Sequence, residues 1–175
     1  MENWFQVDPH ADPPKQTEKM AVSDPFAFLA VDKELVCSFF AVFSRFEFAL
    51  KDCGYVREEN GTAAPAWRRF AKEGTLECAP NSEIEEAVHY LVAHPPQVQD
   101  TQLNWQNKPF WGTTDTARAI ESAQRTRNNL FHGGKHAPYS PPGRDTELVR
   151  CSLILLGELL AQNPDLKSSY ETTVF

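Results

Sequence analysis

Hydrophobic positions along the chain recur at the spacing of amphipathic helices, and they predict five helices. After Asp32, a residue suited to cap a helix, apolar side chains recur every three or four residues as far as Cys53. The helices are predicted over about 33–52, 66–73, 83–93, 115–132 and 145–163. No strand pattern of any length is visible. We therefore expect an all-α fold, a bundle of four or five helices.

The pattern divides the chain into a flexible lead-in, one helical domain and a polar tail, over residues 1–32, 33–163 and 164–175. The lead-in has four prolines and little periodicity. The tail is polar, and we expect it to be frayed. Between the third and fourth helices we expect a long loop, held down by the rings of Trp105, Phe110 and Trp111.

Composition and motif content are those of a cytoplasmic domain that needs no metal or cofactor. With 175 residues, 41% of them hydrophobic, the chain is large enough for one buried core. Its four cysteines are widely scattered without a zinc-binding spacing, and we expect reduced, mostly buried thiols. Met1–Phe5 lacks the pattern of a secretory signal. Charged residues interrupt the most apolar stretch, so no membrane span is expected.

The net charge of −7 disfavours a general nucleic-acid-binding protein, but the charge is unevenly distributed. Residues 118–144 contain five basic side chains against Glu121 alone, a local net charge of +4. The basic residues are Arg118, Arg125, Arg127, Lys135 and Arg144. A local basic patch could bind RNA, although ordinary charge scatter would give the same numbers. Arg45 and Arg125 are expected to be surface charges.

The end of the fourth helix carries the most informative residues of the chain. Arg127 falls on the same stripe as apolar Ile120, Ala123 and Leu130. A guanidinium at such a position requires either a carboxylate partner or a phosphate ligand, because an unpaired buried charge is costly. His132 follows at the C-terminal end of the helix, where Gly133 and Gly134 stop it.

This combination suits RNA cleavage. His132 can take the proton of a 2′-hydroxyl, and Arg127 can stabilise the charge that grows on the phosphate. Asn128 can hold the phosphate or orient the imidazole. Two structural alternatives remain open: His132 caps the last carbonyls of the helix, and Arg127 forms an ion pair.

The motif Arg127-Asn128-x-x-x-His132 resembles the R-x(4–6)-H signature of the HEPN superfamily, and the resemblance covers roughly residues 33–162. It implies a HEPN-like bundle that forms a homodimer with facing motifs. It also implies a metal-independent endoribonuclease that leaves a 2′,3′-cyclic phosphate, as a toxin or phage-defence effector. Arg127 and His132 would then be catalytic and Asn128 supporting. Glu47 on the first helix is the matching candidate for the polar residue that family members place against the arginine.

The superfamily also includes proteins without catalytic activity. The alternative function is therefore a silent HEPN-like module that binds a partner protein or nucleic acid. An antitoxin is an expected partner of a toxin, and a nucleotidyltransferase is an expected partner of a silent module.

Overall fold

Six α-helices and two short β-hairpins make up the part of the chain that the computed structural model describes, which is Phe26, residues 29–131 and residues 141–172. The helices are α1 (Lys33–Asp52), α2 (Trp67–Glu73), α3 (Glu83–Ala93), α4 (Asp115–Phe131), α5 (Arg144–Gln162) and α6 (Pro164–Glu171). The hairpins pair β1 (Val56–Glu59) with β2 (Thr62–Pro65) and β3 (Val98–Gln99) with β4 (Trp105–Gln106), both antiparallel. The predicted helical class is confirmed, whereas the strands and α6 correct the prediction.

The first helix begins and packs as its sequence pattern predicts. The carboxylate of Asp32 accepts hydrogen bonds from the backbone N–H groups of Glu34 and Leu35, at 2.9 and 3.1 Å. Phe39, Phe43 and Phe46 are buried on its inner face. Phe40 instead points outward, with 52% of its surface exposed. The apolar positions that predict α1 therefore include one phenylalanine, Phe40, that lies outside the core.

The core lies between α1, α3, α4 and α5, where α3, α4 and α5 contact one another and α1 contacts α4 and α5. The last of these helices, α5, contributes the largest aliphatic set, namely Leu148, Val149, Leu155, Leu156 and Leu159. Burying each such side chain contributes about 1.5–3 kcal/mol. This packing fixes α1 against α4, the relationship on which the candidate site depends.

The polar segment after Asn163 forms a helix that packs on α1, so the prediction of a frayed tail was wrong for residues 164–171. Leu166 is buried in the core. The Ser169 hydroxyl donates to Asp52 Oδ2 at 2.7 Å, and Arg45 Nη2 donates to the Tyr170 carbonyl at 2.6 Å. The partners in these contacts belong to α1, so the sequence pattern of residues 164–171 alone could not predict the helix.

The two hairpins correct the expectation that the chain contains no strands. Asn60 and Gly61 join β1 to β2 with positive φ angles of 50° and 78°, as a two-residue hairpin turn requires. All four residues of β1 are exposed, so it lacks the alternation that would mark a strand. The second hairpin lies inside the segment predicted as a loop, and the Asp100 carboxylate accepts hydrogen bonds from two backbone N–H groups in its turn.

The cysteines are free, as predicted, but they are less buried than expected. Only Cys151 is buried, while Cys53 and Cys78 are partly buried and Cys37 is exposed. Burial, with a smaller contribution from Glu147, raises the pKa of the Cys151 thiol to about 11. Among the described residues, no helix combines the length and apolarity that crossing a membrane requires.

Candidate functional site

Arg127 of α4 and Glu47 of α1 meet where the two helices pack together. Arg127 Nη2 donates to Glu47 Oε2 at 2.8 Å. The side chains keep 31% and 22% of their surface exposed, so the pair is neither fully buried nor free in solvent. The structure thus places Glu47 against Arg127, the position that the family resemblance implied for it.

The guanidinium of Arg127 has two further neighbours. Its Nη1 donates to Asn128 Oδ1 at 2.9 Å, and its Cζ lies 5.3 Å from the centre of the Phe43 ring, within the range of a cation–π contact. Within the described residues, these bonds use two of the five guanidinium N–H groups. The remaining donors, on a side chain about one-third exposed, can reach a ligand such as a phosphate oxygen.

A third side chain, Trp67 at the start of α2, also contacts the Glu47 carboxylate. Its indole Nε1–H donates to Glu47 Oε1 at 3.3 Å, so among the described residues each carboxylate oxygen accepts a hydrogen bond from a different side chain. Trp67 itself is 7% exposed. Sequence reasoning did not select this residue, because nothing in the local pattern of a short helix indicates which acceptor a tryptophan will find.

Next to the site lies an exposed aromatic pair formed by Phe40 of α1 and Phe131 of α4. The ring centroids are 4.8 Å apart. Phe131 follows Arg127 by one helical turn and is 39% exposed. The predicted apolar stripe of α4 therefore reaches solvent at its end, beside the guanidinium.

The predicted base His132 lies outside the described residues, as do Gly133, Gly134 and Lys135. The description of α4 ends at Phe131, the residue before the histidine. The roles predicted for His132, catalysis or helix capping, therefore stay predictions.

Arg125 was expected to be a surface charge, and that expectation was wrong. It is 6% exposed, and its Nη2 donates to Oε1 of the equally buried Glu121 at 2.6 Å. It also donates to the carbonyls of Lys108 and Pro109, at 2.7 and 2.8 Å, and lies 4.9 Å from the Phe110 ring centre. The segment before α4 covers this face of the helix and buries the arginine.

The same buried pair also holds the end of the predicted loop. Glu121 Oε2 accepts a hydrogen bond from the backbone N–H of Trp111 at 2.6 Å. Arg68 of α2 lies over the Trp111 ring, with its Cζ 5.4 Å from the ring centre. The rings of Phe110 and Trp111 thus contact arginines, as expected of side chains that anchor their own segment.

Within the described part of the chain, each arginine of 118–144 is buried, paired with an acidic side chain or hydrogen-bonded to backbone carbonyls. Arg125 is buried, and Arg118 Nη1 pairs with Asp115 Oδ1 at 3.2 Å. Arg144 Nη2 donates to the carbonyls of His94 and Pro95, at 3.2 and 3.0 Å. The count of charges along the sequence was misleading because it left out Asp115, which pairs with Arg118, and Glu47, which pairs with Arg127.

Groups of three or more His, Cys, Asp or Glu side chains that could hold a metal ion do not occur among the described residues. Comparisons of the chain with protein-family models, with curated proteins and with solved structures find no match. Arg127, Glu47 and Trp67, with the neighbouring Asn128, are therefore the basis for a functional argument.

Proposed function

We propose that the protein is a metal-independent endoribonuclease of the HEPN type, acting as a toxin or phage-defence effector in the cytoplasm. The observation that carries the proposal is the Arg127–Glu47 pair. It holds a guanidinium that is about one-third exposed, with donors that no described residue occupies, five residues before a histidine in the chain. Asn128, the next residue of the helix, accepts a further hydrogen bond from the same guanidinium.

In the proposed reaction, Arg127 binds the scissile phosphate and His132 removes the proton of the adjacent 2′-hydroxyl. The 2′-oxygen attacks phosphorus, the bond to the 5′-oxygen breaks, and a 2′,3′-cyclic phosphate forms. The leaving 5′-oxygen must receive a proton. His132 of a second copy, in a two-fold symmetric homodimer, would supply it. The guanidinium provides the positive charge, so this route needs no metal ion.

Glu47 has a defined part in this proposal. By accepting from Nη2, it fixes one edge of the guanidinium and leaves the other donors for the phosphate. Asn128, which accepts from Nη1, supports the same orientation.

The alternative is a catalytically silent helical module that binds a partner protein, such as a nucleotidyltransferase or an antitoxin, or a nucleic acid. The exposed pair of Phe40 and Phe131 favours this alternative, because exposed aromatic side chains in contact are common at protein interfaces.

Cleavage of total tRNA and of an mRNA by the purified protein in EDTA tests the proposal. The variants are Arg127→Ala and His132→Ala, and the matched control is Arg150→Ala, which removes an exposed arginine paired with Glu147 on α5. We expect the wild type and the control to leave cyclic-phosphate ends. The two site variants should lose at least about a hundredfold in rate. Undiminished cleavage by a folded Arg127→Ala variant would contradict the proposal, and a folded wild type that does not cleave favours the silent module.

A further inference from the structure

We infer that Trp67 positions Arg127, acting through the carboxylate of Glu47. The inference rests on the proposed ribonuclease function, since it concerns the residue that would bind the scissile phosphate. The three side chains come from α2, α1 and α4 and form one connected chain, with hydrogen bonds of 3.3 Å and 2.8 Å.

The indole is a rigid support. The Trp67 ring lies parallel to the Phe46 ring, with an interplanar angle of 1° and centroids 5.4 Å apart. It also contacts the Phe43 ring at 5.3 Å. Because both phenylalanines are buried and packing in a core restricts rotamers, the Nε1–H group points in a fixed direction.

A carboxylate held by one partner can rotate about its terminal torsion, which is broad for Glu. The Trp67 bond to Oε1 removes that freedom and directs Oε2 toward Arg127. Phe43 contacts both the indole and the guanidinium, each at 5.3 Å. The guanidinium is thus located by a carboxylate on one edge and by a ring on one face, and Trp67 orients the carboxylate.

A buried tryptophan needs an acceptor for its indole N–H, and a backbone carbonyl with no connection to Arg127 would be sufficient. Here the acceptor is the carboxylate of Glu47, which also pairs with Arg127. A charged acceptor makes the stronger hydrogen bond, so removing the donor should change the orientation of Glu47 as well as the packing.

Trp67→Phe tests the inference because it keeps an aromatic ring in the core and removes the N–H donor. We expect kcat for RNA cleavage in EDTA to fall about tenfold, the loss expected for one hydrogen bond to a charged group. The matched control is Trp105→Phe, a change of the same kind in β4, at a residue outside the hydrogen-bonded chain of Trp67, Glu47 and Arg127. It should cleave like the wild type. A Trp67→Phe variant that also cleaves like the wild type overturns the inference.

A double-mutant cycle separates positioning from a loss of stability. In a Glu47→Ala background, adding Trp67→Phe should change kcat by less than about twofold, because the path to Arg127 is already broken. If Trp67 supported only the fold, the same tenfold loss would appear in both backgrounds, and that result overturns the inference.

Nuclear magnetic resonance of the Arg127 side chain gives a readout that does not depend on cleavage. Rotation about the Nε–Cζ bond should be slow in the wild type and faster in both Trp67→Phe and Glu47→Ala, whereas Trp105→Phe should leave it unchanged. If the wild type cleaves no RNA but this dependence is observed, the ribonuclease proposal fails and the positioning inference stands. If cleavage is observed and Arg127 rotates equally in the wild type and Trp67→Phe, the positioning inference fails alone.

Discussion

Glu121 Oε1 and Arg125 Nη2 lie 2.6 Å apart within α4, and solvent reaches only 6% of the surface of either residue. Their other side-chain hydrogen bonds within the described residues go to the backbone of residues 108–112, so the pair joins the helix to the segment that precedes it. Two charges have been removed from water here, and each is satisfied by the other and by peptide groups.

The first prediction concerns this buried pair. Arg125→Ala should lower the free energy of unfolding by about 3–5 kcal/mol, because it leaves the Glu121 carboxylate buried without its cation. Arg118→Ala breaks an exposed ion pair on the same helix and should cost less than about 1 kcal/mol. Urea unfolding of both variants checks the difference. Equal, small losses would show that Arg125 is not buried as described.

The second prediction concerns the shape of the cation at the candidate site. Arg127→Lys keeps the charge but replaces the forked guanidinium, so one side chain can no longer hold Glu47 and Asn128 while presenting further donors. We expect RNA cleavage to fall at least about tenfold while the free energy of unfolding changes by less than about 1 kcal/mol. Full activity of the lysine variant would mean that charge alone suffices, and the argument from guanidinium geometry would be lost.

The third prediction concerns α6. Leu166→Ala should destabilise the protein by about 2–5 kcal/mol, because it leaves a cavity where α6 packs on α1. The control is Lys167→Ala, which changes the next residue, whose side chain is exposed. Its free energy of unfolding should stay within about 0.5 kcal/mol of the wild-type value. Chemical unfolding distinguishes the two. A neutral Leu166→Ala result would mean that the segment does not pack on α1.

The fourth prediction concerns pH. Burial raises the pKa of the Cys151 thiol to about 11, above its ordinary value of 9.0, so the native state keeps this proton longer than the unfolded chain does. Between pH 9 and 11 the unfolded state therefore binds fewer protons, and stability falls as pH rises. This thiol contributes at most about 1.4 kcal/mol per pH unit in that window.

Cys151→Ala tests this linkage when the free energy of unfolding is measured at pH 8 and pH 10. The difference between the two pH values should be smaller in the variant than in the wild type. Cys37→Ala, which removes an exposed thiol, should retain the wild-type difference. Identical pH dependence in all three proteins would show that the thiol of Cys151 titrates normally.

The helices with their own local signals could be predicted from the sequence. Asp32 and Ser82 cap α1 and α3 with their side chains, and the apolar period behind each cap is long enough to place the helix. The Asn60-Gly61 turn is a local signal for the first hairpin, and it was missed because the prediction searched only for alternating strands. The α6 helix could not be predicted, because contacts from distant residues stabilise it. Exposed β1 has no alternation, and α6 depends on Asp52 and Arg45 of α1.

The candidate site was only partly predictable for a related reason. The apolar stripe of α4 placed Arg127 toward the core and implied a partner, and the structure provides Glu47. The same stripe placed Arg125 in solvent, since a helical wheel does not show that residues 108–111 cover that face. Trp67 could not be found from sequence, because its contact with Glu47 depends on how α2 lies against α1.

The two arginines on α4 differ in what their ion pairs require. Glu121 is one turn from Arg125, so that pair can form as soon as the helix does. Glu47 is 80 residues from Arg127 in the chain and belongs to another helix. An oriented guanidinium at position 127 therefore exists only after α1 and α4 have docked in register. A chain that has not reached that step, during synthesis or after partial unfolding, would contain the sequence motif but lack the hydrogen bond between Arg127 and Glu47. Any activity of Arg127 would therefore be confined to the completed fold.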